Sequence, residues 1–78
     1  MKNKLQYQFD QEADILYLTQ KKPSVRDISE EIADGIVVRI NPKTKKIVGL
    51  TILNFLSRYH QTSEPVNLPI SAEFAMAR

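Results

Sequence analysis

The sequence predicts a small α+β protein: an antiparallel β-meander of about five strands, one short helix and an extended C-terminal segment. Three observations carry this. Short runs of period-two apolar alternation recur, as in Leu5-Gln-Tyr7-Gln-Phe9 and Ile36-Val-Val38-Arg-Ile40. Polar turns rich in Asp, Asn, Gly, Pro and Lys separate them. A stretch near Phe55 carries helical spacing instead. Seventy-eight residues at 9.0 kDa hold one domain. At that size folding buries only about 60–65% of the surface that unfolding exposes, so the core is thin. Residues 1–64 are expected to form the meander and helix, and 65–78 an extended segment beside them.

The elements follow in order. Leu5, Tyr7 and Phe9 alternate with Gln6, Gln8 and Asp10, as on a half-buried strand. Asp10-Gln-Glu-Ala-Asp14 is a hairpin turn leading into a second β-rich run, Ile15 to Thr19. Lys21-Lys-Pro-Ser24 then interrupts, because proline cannot donate a ladder hydrogen bond. Val25 to Ile32 reads two ways. Val25, Ile28 and Ile32 have helical spacing, but Ala33-Asp34-Gly35 is a hairpin signal that favours an exposed strand. Ile36 to Ile40 is a β-branched strand with Ile36, Val38 and Ile40 on one face. Asn41-Pro-Lys-Thr-Lys-Lys46 is a basic turn, after which Ile47 to Leu53 returns as a long strand. Gly49 inside that apolar strand predicts a bulge or the close approach of another backbone or ring. Asn54 is expected to N-cap a short helix, Phe55 to Gln61, with Leu56 and Tyr59 on its buried side. Ser63-Glu-Pro65 ends it. Val66, Leu68, Ile70, Ala72 and Phe74 then alternate, and Pro69 restricts them to an edge strand or a docking segment.

Composition removes much chemistry. With no cysteine there is no disulfide, thiolate nucleophile, zinc ribbon or iron–sulfur site. His60 is the sole histidine, which excludes two-histidine metal sites and most triads within one chain. Eleven basic against nine acidic residues give +2, too small a balance to imply nucleic acid. Two glycines leave no phosphate-cradling loop. Leu5-Gln-Tyr-Gln-Phe-Asp10 stands where a signal peptide needs an apolar core. The longest apolar stretch, Ile47 to Leu56, falls far short of the ~20 residues that span a bilayer. A cytoplasmic protein without a membrane partner is expected.

Tyr7-x-Phe-Asp-x-Glu-Ala-Asp-Ile-Leu-Tyr17, Asp34-Gly-Ile-Val-Val38 and Lys46-Ile-Val-Gly-Leu-Thr-Ile-Leu53, with a short helix after them, form an ordered set. That set resembles the domain of unknown function 2283 family of small bacterial and archaeal proteins, over roughly residues 5 to 58. Two positions depart from the family pattern. Thr51 stands where an acid is usual, and Asn41-Pro-Lys43 stands where acids often follow the strand. The resemblance implies a compact, mostly β fold and no assigned activity. Some members resemble the antitoxin partner of two-gene toxin–antitoxin modules, which implies an antitoxin-like role as one expectation.

Asp10, Glu12 and Asp14 place three carboxylates within five residues, and oxygen ligands suit calcium or magnesium. An EF-hand loop would need glycine in place of Ile15 and glutamate in place of Lys21. The better reading is a turn in which Asp10 and Asp14 accept hydrogen bonds from loop N–H groups, with no metal or other cofactor. Glu30, Glu31 and Asp34 read as solvated charges that discourage edge pairing rather than as a catalytic pair. Ser57, His60 and Ser63 lack an aspartate and an oxyanion-forming turn, so no catalytic residue and no enzyme is expected. Lys21, Lys22, Lys43, Lys45 and Lys46 crowd two loops that could touch phosphates at one end of the sheet. No aromatic residue interleaves them, so solubilising lysines are the better reading.

The favoured function is therefore a non-catalytic protein–protein interaction, with a homodimer that buries the second face of the sheet. Val66, Leu68, Ile70 and Phe74 are the expected partner-binding residues, either within the dimer or on another protein. The alternative is a metal-dependent ligand-binding or enzymatic module built on Asp10, Glu12 and Asp14. The third is weak nucleic-acid binding through the turn lysines.

Overall fold

The computed structural model describes residues 4–20, 24–59 and 65–77, with Tyr59 described through its backbone alone. Five strands, β1 (Gln6–Asp10), β2 (Ile15–Thr19), β3 (Ile28–Ala33), β4 (Ile36–Ile40) and β5 (Ile47–Leu53), precede one helix, α1 (Phe55–Tyr59). All pairings are antiparallel, in the order β1-β2-β5-β4-β3. The mostly β, α+β meander expected from the alternating runs is present. Within it, β3, β4 and β5 are consecutive neighbours, and β5 then pairs with the inner strand of the β1–β2 hairpin. The connection between β2 and β3 consequently crosses three strand spacings, about 14 Å.

Register sorts the side chains. Phe9, Leu16, Ile52 and Ile36 stand in one row across the sheet, and Tyr7, Leu18, Leu50 and Val38 in the next. These rows form the core face. Ile36, Val38, Val48, Leu50 and Ile52 are buried, Val38 most completely at 1% exposure. Phe55 of α1 packs against Ile36, Val38, Leu50 and Ile52, and so do Leu68 and Ile70. The Phe55 ring meets Phe9 edge-on, with centroids 6.1 Å apart. The opposite face carries Tyr17, Thr51 and Val37 in one row and Thr19, Gly49 and Arg39 in another.

Several local expectations change. The third strand begins at Ile28 rather than Val25. Ser24 and Asp27 close a turn first: the Ser24 N–H donates to Asp27 Oδ2 at 3.0 Å, and the Asp27 N–H to the Ser24 carbonyl at 3.0 Å. That turn leaves Val25 exposed, so its helical spacing to Ile28 reports no shared face. In α1 the core-facing residue is Phe55, while Leu56 is exposed. Asn54 takes a positive φ of 55°, so α1 turns sharply from β5 and presents Phe55 to the sheet. The expected helix end at Gln61, His60, Ser63 and the Tyr59 side chain lie outside the described residues. Segment 65–77 runs outside the five-strand ladder. Among the described residues, no helix is long and apolar enough to cross a membrane.

Candidate functional site

The acidic turn separates its carboxylates rather than gathering them. Asp10 Oδ1 accepts the Ala13 N–H at 3.1 Å, closing the hairpin as expected. Asp14 departs from the expected loop role. With φ at 58°, a left-handed value that Asp tolerates, it reaches away from the turn to α1. Its Oδ1 accepts the Leu56 N–H at 2.8 Å, and its Oδ2 accepts the Ser57 N–H at 3.1 Å and the Ser57 hydroxyl at 2.8 Å. The Phe55 N–H donates to the Asp14 carbonyl at 3.0 Å. Asp14 thus caps the first turn of the helix from 42 residues upstream, supplying the acceptors expected of Asn54. Glu12 stays exposed, and no metal-sized group of three or more His, Cys, Asp or Glu side chains converges among the described residues.

The basic turn is held by its own residues, whereas the β3–β4 turn is tied to α1. Pro42 has no N–H, and Asn41 Oδ1 accepts from the next two amides, Lys43 at 2.8 Å and Thr44 at 3.2 Å. Lys45 holds a left-handed φ of 63°, and its N–H donates to the Asn41 carbonyl at 2.8 Å. Lys43, Lys45 and Lys46 are exposed; Lys21 and Lys22 lie outside the described residues. At the β3–β4 turn only Gly35 takes a positive φ, 77°, and the register shifts between Glu31 and Ala33 to accommodate it. Glu31 Oε2 accepts the Gly35 N–H at 3.1 Å. Arg58 reaches this turn from α1, donating to the Asp34 carbonyl at 2.8 Å and pairing with the Asp34 carboxylate at 3.2 Å. Glu31 and Asp34, expected only as solvated charges, therefore also hold the turn and the helix.

Sequence reasoning missed a polar constellation on the second face. Thr19, Gly49 and Arg39 are register partners on β2, β5 and β4. Arg39 lies across Gly49 and donates through Nη2 to Thr19 Oγ1 at 2.8 Å. Its Nε pairs at 3.1 Å with Asp27, whose side chain is only 6% exposed. A Cβ added at Gly49 would stand 2.8 Å from Arg39 Nη2. Gly49 therefore does mark a close approach, by a guanidinium rather than a backbone or ring. The register also shifts nearby, between Arg39 and Ile40. The only signal in sequence was the glycine itself. Asp27 and Arg39 are brought together by strand pairing and the β2–β3 crossover.

The core face is incompletely closed. A cleft of about 500 Å³ runs between the sheet and segment 65–77, lined by Leu5, Leu18, Ile47, Leu50, Val66 and Phe74 among others. The four expected partner-binding residues divide around it. Leu68 and Ile70 pack on the core, while Val66 is half-exposed and Phe74 is 80% exposed. The lining suits apolar side chains, with Glu73 its one charged member among the described residues.

The family described as protein of unknown function (DUF2283) matches residues 6–55, from the start of β1 to the first residue of α1. No curated protein and no solved structure matches the chain. The match takes in all five strands and both residues of the Asp14–Phe55 contact, and it leaves segment 65–77 outside. By fold, motif order and extent of match, the chain belongs to the DUF2283 family of proteins of unknown function.

Proposed function

We propose that the chain is a small non-catalytic protein that acts by binding protein, and that its first partner is a second copy of itself. The observation that supports this is the grouping of exposed apolar side chains on one side of the core face. Leu5, Val66 and Phe74 line the same cleft, and Tyr7, two positions along from Leu5, is 78% exposed. Single exposed apolar residues need no explanation, but a group sharing one surface marks a contact site. The alternatives draw less support. In the acidic turn Asp10 and Asp14 are spent on Ala13, Leu56 and Ser57, leaving only Glu12 exposed, and the basic turn offers exposed lysines without aromatic platforms.

Sedimentation equilibrium across the micromolar range tests the proposal. A mass rising with concentration above the 9.0 kDa of one chain is expected. A mass that stays at one chain throughout removes self-association. The finer antitoxin-like reading rests on the family resemblance, and co-purification with the product of an adjacent gene tests it.

A further inference from the structure

We propose that two copies join through the outer edges of β1, forming a continuous ten-stranded antiparallel sheet about a two-fold axis at Tyr7. This rests on the self-association proposed above and assigns its surface. β1 and β3 are the two edges of the sheet, and they are guarded differently. Along β3, Glu30 and Glu31 are adjacent and exposed, and the register shift between Glu31 and Ala33 interrupts the ladder. Charges and bulges are the means by which sheet edges avoid pairing, and two copies of β3 would set glutamates against glutamates. From Leu5 to Phe9 the β1 edge has no charge, proline or register shift. One open edge and one blocked edge per chain allow a closed pair and no fibre.

Charge sets the register of that pair. Antiparallel pairing about Tyr7 places Tyr7 opposite Tyr7, Gln6 opposite Gln8 and Leu5 opposite Phe9. Lys4 of each copy then faces Asp10 of the other, so both ends of the interface carry opposite charges. A two-fold axis perpendicular to the sheet keeps both core faces on the same side, so the apolar groups around Leu5 and Tyr7 of the two copies adjoin. The second face is the weaker candidate, because Arg39 already pairs there with Thr19 and Asp27, and Tyr17, the exposed large apolar side chain in the rows of Thr51 and Gly49, is only 37% exposed.

The test uses the full chain and two variants in sedimentation equilibrium. Tyr7→Lys sets like charges opposite each other at the axis and is expected to raise the dimer dissociation constant at least about tenfold. Tyr17→Lys, on the second face, is expected to change it less than about twofold. Dimerisation unaffected by Tyr7→Lys, or abolished by Tyr17→Lys alone, overturns the edge assignment while leaving self-association standing. A wild-type chain that never exceeds one-chain mass overturns both proposals, and growth beyond two copies overturns the closed pair. Should Tyr7→Lys fail to fold, hydrogen exchange of the wild-type chain decides. Alternate amides between Lys4 and Asp10 are expected to slow as concentration rises, with β3 amides unchanged. Slowing in β3, or none in β1, overturns the edge assignment.

Discussion

On the core face, Ile36, Val38, Leu50 and Ile52 exclude water against Phe55, Leu68 and Ile70. On the opposite face Arg39 lies over Gly49 and binds Thr19 and Asp27. Apolar burial is non-directional and roughly proportional to area, so losses on the core face should follow the volume removed. A charge-assisted network depends on each partner's position, so losses on the second face should be coupled to one another. One sheet thus joins two kinds of stability back to back.

Leu50→Ala is expected to have the largest effect, about 3 kcal/mol, because it opens a cavity at a buried position beside Val38. Denaturant unfolding at fixed protein concentration measures it; a loss below ~1 kcal/mol would mean that segment 65–77 collapses to refill the space. Asp27→Ala should cost about 2 kcal/mol, since it leaves the Arg39 guanidinium without its carboxylate. An equal loss in an Arg39→Ala background would show that the pair is not coupled.

Gly49→Val should cost more than ~1 kcal/mol, through displacement of Arg39 rather than lost burial. The same substitution made in Arg39→Ala should cost less than half as much, and an undiminished cost points to the backbone instead. Asp14→Ala should remove about 1 kcal/mol by uncapping α1, and Asp14→Asn, which keeps one acceptor oxygen, should recover part of it. If alanine and asparagine behave alike, the cap contributes nothing. The smallest change is a gain. Lys45→Gly relieves a left-handed φ of 63° and should stabilise by about 0.5–1 kcal/mol. A loss there would mean that the lysine side chain itself supports the turn.

Much of the β framework was legible because its signals are local. The runs at Tyr7, Ile36 and Val48 alternate with the strand period, and Asp34-Gly35 announces a hairpin whatever surrounds it. The same locality misled at Val25, where helical spacing spans a turn and a strand, and at Leu56, whose spacing to Tyr59 could not reveal that Phe55 faces the core. The candidate surface was legible only in part. Val66, Leu68, Ile70 and Phe74 alternate in sequence, yet Leu68 and Ile70 meet the core whereas Val66 and Phe74 do not.

By itself the sequence determined the strands, their turns, the thin core and the absence of cysteine and paired histidine chemistry, because each follows from residue type and short-range spacing. Tertiary structure alone decided that β5 lies between β2 and β4, which is what brings Thr19, Gly49 and Arg39 into one row. It also decided that Asp14 caps a helix 42 residues away and that β1 and β3 are the two edges of the sheet. These depend on which strands become neighbours. That choice is made by the summed burial of the core face, a quantity no local window of sequence contains.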